Sequence, residues 1–182
     1  MKTRLSLIAC LVVVLGLAIG PTSASADDES GIDAFTGTYR STLTRSQARK
    51  EIDKRIDTLV DDMAFYKRPF ARSKLENRTP PCIDLEISES GGDVTVGCDD
   101  RSAASARLNG DRRHFKPSGG DPVKVSYTLS NGDLVQKFFS ENGVRTNTYS
   151  LHSGGKILKL KVELQSSKLP RPLTFKRTFK RR

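Results

Sequence analysis

An up-and-down antiparallel β-barrel of about ten strands, mainly β, with a helical segment between its first and second strands, is the fold predicted for this 182-residue chain. Three features predict it. Hairpin dipeptides recur at near-regular spacing: Gly91-Gly92, Asn109-Gly110, Gly119-Gly120, Asn131-Gly132, Asn142-Gly143 and Gly154-Gly155. The segments between them alternate apolar and polar residues, as strands with one dry face and one wet face do. A single stretch near the start has helical period instead.

In chain order, Asp27 to Ile32 reads as a loose leader and Phe35 to Leu43 as the first strand. From about Ser46, a plausible N-cap, to Tyr66 the apolar residues Ile52, Ile56, Leu59, Val60 and Met63 recur at helical spacing, and this stripe is expected to cap the barrel core. Arg68-Pro69 is expected to interrupt that helix, Phe70 to Leu75 to form a short second one, and Thr79-Pro80-Pro81 to end helical structure, so the insertion covers about 46–76. Strands are then expected near 83, 94, 103, 112, 123, 134, 145, 157 and 173. Val123, Val125, Tyr127 and Leu129 share one face of a strand, as do Leu158, Leu160, Val162 and Leu164, and Leu173, Phe175, Arg177 and Phe179.

The N-terminal residues read as a cleavable secretory leader, residues 1–26. Lys2 and Arg4 precede an uncharged apolar run from Leu5 to Gly20, and Ala24-Ser25-Ala26 has the small-x-small form that a signal peptidase accepts. A retained anchor is the alternative, but the run is short for a span, which needs about 20 residues. Lipidation at Cys10 would leave Leu11 to Ile19 on the mature protein. The mature chain, 27–182, is then a single exported domain, periplasmic or extracellular. Its formal charge falls from +10 to +8 with loss of Lys2 and Arg4. The charge is concentrated at the C-terminal end, where Lys156 to Arg182 holds ten lysines and arginines against Glu163 alone. Such a strand and tail attracts anionic lipid, acidic polysaccharide or nucleic acid when it is more than a solvated face. Cys82 and Cys98 flank a hairpin folded about Gly91-Gly92, which is expected to set them opposite each other as a disulfide.

The order of one strand, a helix pair and a nine-strand meander resembles the intracellular fatty-acid-binding proteins, a branch of the calycin superfamily. Asn131-Gly132-Asp133-Leu134-Val135-Gln136-Lys137 with Glu141-Asn142-Gly143 is similar to a hairpin of that family, and Phe175-Lys176-Arg177-Thr178-Phe179 to its final strand. There an Arg-x-Tyr pair holds a ligand carboxylate, which implies that role for Arg177, although Phe179 lacks the hydroxyl of the family's tyrosine. Gly37-Thr38-Tyr39 resembles the Gly-x-Trp with which lipocalins close one barrel end.

Two readings of function follow. In the first, the barrel binds a small apolar or amphipathic ligand, with Arg177, Phe175, Phe179, Tyr149, Arg145 and Tyr127 as the ligand-binding residues. Arg177 shares the inward phase of Leu173, Phe175 and Phe179, so its guanidinium needs a partner: a bound carboxylate, or the Tyr39 end of the barrel, where it would be a structural brace. Arg145, Asn147, Tyr149 and Leu151 share a face that is polar lining if it looks inward and ordinary surface if it looks outward. In the alternative reading the interior is packed, and the basic C-terminal strand of an envelope protein contacts anionic lipid or polysaccharide. The chain is expected to be a monomer, with no cofactor, no metal and no specific nucleic-acid partner. Catalysis is not expected. His114 and His152 are the only histidines, no Gly-x-Ser-x-Gly elbow or phosphate loop occurs, and Asp99, Asp100 and Asp111 lie in turns that favour Asp.

Overall fold

A computed structural model describes residues 29–118 and 120–182, so the leader read at 1–26 and Gly119 of one turn signal lie outside the described residues. Ten antiparallel strands form one sheet that curls into a nearly closed barrel. They are β1 (Gly37–Ser41), β2 (Asp84–Ser90), β3 (Asp93–Cys98), β4 (Ala104–Arg107), β5 (Arg113–Phe115), β6 (Val123–Ser130), β7 (Asp133–Ser140), β8 (Gly143–His152), β9 (Ile157–Gln165) and β10 (Leu173–Arg181). The order is β4-β3-β2-β1-β10-β9-β8-β7-β6-β5, so the first strand pairs with the last. The turns carry the backbone that their residues allow. Asn131 and Gly132 have φ of 53° and 79°, the left-handed pair that a two-residue hairpin turn requires. A Cβ at Gly143 would collide with the carbonyl oxygen of Gln165.

The helical insertion departs from its sequence reading in its boundaries. Helix α2 spans Arg45–Val60 and is capped by Thr44, not Ser46. Thr44 Oγ1 accepts from the Gln47 amide at 3.3 Å while Gln47 Oε1 accepts from the Thr44 amide at 2.9 Å, a reciprocal capping box. The helix stops at Val60 rather than Tyr66 because carbonyls beyond it bond elsewhere. Arg68 donates through Nη2 to the Asp61 carbonyl at 2.8 Å and through Nε to the Met63 carbonyl at 2.9 Å. A 3₁₀ turn, Phe65–Lys67, leads into helix α3, Arg68–Arg78. Pro69 sits in the first turn of α3, where no intrahelical amide is missed, so it starts a helix rather than interrupting one. Ile52, Ile56, Leu59 and Val60 of α2 are buried in the core as expected.

The N-terminal segment is also more ordered than expected. Glu29–Asp33 is a short helix, α1. Phe35 precedes β1 in a turn, its amide bonded to the Ile32 carbonyl at 2.9 Å, and both side chains plug the core.

β4 and β5 face each other across the barrel seam without a ladder. Tyr127 of β6 spans that gap: its hydroxyl donates to the Ala104 carbonyl at 2.7 Å and its own carbonyl accepts from the Asn109 amide at 2.9 Å. Arg113 of β5 pairs with Asp93 of β3 at 2.5 Å across the same gap.

Cys82 and Cys98 form the disulfide, with Cα atoms 5.8 Å apart. They are not directly opposed, because the register pairs Cys98 with Leu85. Cys82 lies before β2 begins, and the bond ties that approach segment to the end of β3. Asp99 completes the junction. Its Oδ1 accepts from the Ile83 and Asp84 amides at 3.1 and 2.9 Å, and its other oxygen lies 3.1 Å from Arg45 Nη2. Partial burial works against the charge, but the amides of Asp84 and Ile83, with Arg45 and Arg101, outweigh it and hold the carboxyl below the usual carboxylate range.

Two outcomes follow. Reduction of the disulfide, which closes a 16-residue separation, is expected to cost roughly 3 kcal/mol and to lower the thermal midpoint measured with and without reductant. Asp99→Ala is expected to destabilise the fold by about 1–3 kcal/mol at neutral pH through the amides left unpaired. Because the folded carboxyl is depressed, the Asp99 contribution is present above the ordinary value of 3.8 and lost as pH falls through the lower folded value. Denaturant titrations at pH 7 and pH 3 should therefore show the penalty shrinking in acid.

Candidate functional site

The barrel interior brings the six residues singled out in the sequence onto inward faces, and it gives them different tasks. Arg177 of β10 is 4% exposed, between Phe175 and Phe179, which are buried as well. Its Nη2 donates to Ser41 Oγ at 2.9 Å and to the Cys82 carbonyl at 3.4 Å. Among the described residues its Nε and Nη1 have no hydrogen-bond partner. Burial disfavours its charge and Glu51 of α2 supports it, with the net effect of lowering its pKa. The group therefore sits under the α2 cap, at the corner where β1 ends and the disulfide segment enters β2, with donors unspent.

The brace at the barrel end is a different arginine. The register pairs Tyr39 with Arg181, whose guanidinium carbon lies 5.0 Å from the Tyr39 ring centroid. Arg181 donates through Nε to the Gly155 carbonyl at 3.0 Å, through Nη1 to the Thr36 carbonyl at 2.9 Å, and through Nη2 to Tyr39 Oη at 2.7 Å and to the Ala34 carbonyl. Tyr39 in turn donates to the Phe35 carbonyl at 2.7 Å. Arg181 was not singled out in the sequence, although it continues the same alternation two residues beyond Phe179.

The face Arg145, Asn147, Tyr149 and Leu151 looks inward. Asn147 and Tyr149 are buried, and Arg145 and Leu151 partly so. With Tyr127 and Gln136 they make a connected network. Gln136 Nε2 donates to Tyr127 Oη at 2.6 Å, and Gln136 Oε1 accepts from Asn147 Nδ2 at 2.8 Å and from Tyr149 Oη at 3.0 Å. Arg145 extends it, donating through Nε to Asn147 Oδ1 at 3.0 Å and through Nη1 to the Arg78 carbonyl at the end of α3 at 3.2 Å. Gln136 is central here and was missed as a site residue. Its signal was its phase, two residues from Leu134 in an inward row. Burial raises the Tyr149 phenol to about 12, with Arg145 opposing the shift, and burial raises Tyr127 as well.

His114 and His152 are both exposed on the barrel's outside. Among the described residues no three His, Cys, Asp or Glu side chains converge to hold a metal ion. No described helix is long and apolar enough to cross a membrane.

No family sequence model matches the chain, and no curated protein matches it in sequence. Solved structures do match the fold. Fatty-acid-binding protein 1 of Echinococcus granulosus superposes with a TM-score of 0.51 at 17% identity, covering 82% of this chain and 98% of its own. A secretory abundant heat-soluble protein of Ramazzottius varieornatus gives 0.53 at 15% identity, covering 82% and 96%. A Schistosoma mansoni fatty-acid-binding protein in complex with arachidonic acid gives 0.51 at 13% identity, covering 84% and 98%. The chain thus shares the barrel fold of these structures.

The buried network makes a prediction about alkaline stability. A phenol raised in the folded state contributes stability below its ordinary value near 10, lost as pH rises through the folded value of about 12. Tyr149→Phe should flatten the loss of stability between those limits, read from denaturant midpoints across the range, while costing about 1 kcal/mol at pH 7.

Proposed function

We propose that this chain is an exported carrier whose barrel holds a small amphipathic ligand with a carboxylate headgroup, and that Arg177 receives that headgroup. One observation carries the reading. A guanidinium buried among Phe175, Phe179 and Leu173 finds no acceptor for Nε and Nη1 among the described residues, an arrangement that costs stability unless something accepts from them. A carboxylate answers both the charge and the spare donors. Phe175 and Phe179 supply apolar wall beside it. Tyr127, Tyr149 and Arg145 hold the polar network that shapes the far side of the interior. The bound arachidonic acid named for the Schistosoma mansoni structure supports a ligand of this chemistry on this fold. The leader at 1–26 and the Cys82–Cys98 disulfide support an oxidising compartment. The reading is one of binding, not catalysis, in keeping with structural neighbours named as binding proteins.

The test compares the protein with Arg177→Gln, measuring oleate affinity and thermal stability together. Loss of a charged hydrogen-bond partner is expected to cost roughly 1.5–3 kcal/mol of affinity, or about ten- to a hundredfold in Kd, with the thermal midpoint unchanged or raised. A lowered midpoint, with oleate bound by neither protein, would assign Arg177 a purely structural role.

A further inference from the structure

The outward face of β10, β9 and β1 carries an array of cations that the carrier reading does not use. Lys176 stands directly opposite Lys161, and Lys180 directly opposite Arg40. Lys159 lies diagonally between, opposite Thr178. All five basic side chains are exposed. Adjacent strands are about 4.8 Å apart and same-face neighbours along a strand about 6.7 Å, so the cluster is dense. Like charges directly opposed in a ladder are destabilising, and this face has two such pairs.

Several arginines elsewhere have carboxylate partners, while lone lysines such as Lys124 and Lys137 stand apart from one another. Arg49 meets Asp53 at 3.2 Å, Arg72 meets Glu76 at 3.4 Å, and Arg171 meets Asp62 at 2.8 Å. On the β10 face, Lys161 has Glu163 at 3.2 Å and Arg40 has Asp84 at 3.5 Å. Among the described residues Lys159, Lys176 and Lys180 make no ion pair. Glu163 and Asp84 thus offset part of the repulsion, and an external anion would relieve what Lys159, Lys176 and Lys180 leave unmet.

We propose that this face binds a linear acidic polysaccharide, its carboxylate or sulfate groups lying over Lys159, Lys161, Lys176 and Lys180. A polymer with recurring charges meets several of these lysines at once, whereas a lone anion meets one. The side chains beside the lysines carry hydroxyls, Thr178 between Lys176 and Lys180, and Thr148 and Ser150 of β8 opposite Lys161 and Lys159, suited to sugar hydroxyls. The face has no aromatic side chain on which nucleic-acid bases could stack and no apolar wedge to enter a lipid interface. The large exposed hydrophobics among the described residues are Phe65, Tyr66 and Phe70, at 80%, 67% and 72% exposure, all on the helical cap.

The test uses the purified protein with dextran sulfate as probe and neutral dextran as control, across a salt series. Lys159→Gln/Lys176→Gln is expected to weaken binding about tenfold and to lower the slope of log Kd against log salt by between about one and two. Its thermal midpoint should hold or rise, since an opposed lysine pair is relieved. Lys124→Gln/Lys137→Gln removes the same charge from the β6–β7 outer face and should bind as the unmodified protein does. Equal weakening by both variants would mean that net charge, not this face, does the binding, and would overturn the proposal. Tighter binding to duplex DNA or to phosphatidylglycerol vesicles than to dextran sulfate, at matched charge concentration, would overturn it too. Loss of oleate binding in Arg177→Gln leaves this measurement untouched, because Arg177 is inside the barrel.

Discussion

Closure of the barrel depends on one guanidinium. β1 is five residues long, yet it must join β2 on one side to β10 on the other. Arg181 makes that short strand sufficient. It gathers the carbonyls of Ala34, Thr36 and Gly155 and the hydroxyl of Tyr39 around a single rigid fork. The approach to β1, the β8–β9 turn and the end of β10 are thereby fixed together at the same end of the barrel. Ile32 and Phe35 fill the space beneath. The opposite side of the sheet, between β4 and β5, is held by a lighter device, the Tyr127 hydroxyl and the Arg113–Asp93 pair.

Given that frame, the two interior arginines differ in kind. Arg145 is absorbed by the protein: an amide and the last carbonyl of α3 take its hydrogen bonds, and through it the cap is tied to the network of Gln136, Asn147 and Tyr149. Arg177 is only partly absorbed, with Ser41 and the Cys82 carbonyl on one nitrogen and, among the described residues, nothing on two others. Satisfied buried networks specify a structure, while a partly satisfied buried group is costly as long as its donors stay unpaired.

The strands were legible in the sequence because alternation and hairpin glycines are local signals, and all ten lie near the positions that those signals indicate. The inward phase of Leu173 to Phe179 was legible for the same reason. What was not legible depended on distant partners. Arg68 ends α2 by taking carbonyls five and seven residues away, which periodicity cannot show. The brace belongs to Arg181 rather than Arg177 because the β1–β10 register sets Tyr39 opposite residue 181, and register between strands so far apart in sequence has no local signature. The cysteines pair without being opposed, since the hairpin register runs Leu85 to Cys98. The inward turn of Arg145 and Asn147 needed the β8–β9 pairing to decide it.

The Arg181–Tyr39 contact spans 142 positions of sequence. Loop closure over such a distance is entropically slow, and until it happens β10 and β1 each present an unpaired edge to solvent. Hairpins from β6 to β10 can assemble from neighbours alone, so the order of events is imposed by connectivity: meander first, ring last. A nascent or partly unfolded chain therefore passes through an open, edge-exposed sheet, the species most prone to pair with its own kind. The lysines at 159, 161, 176 and 180 line strands at that late-closing edge, where their mutual repulsion also discourages one open sheet from adding to another.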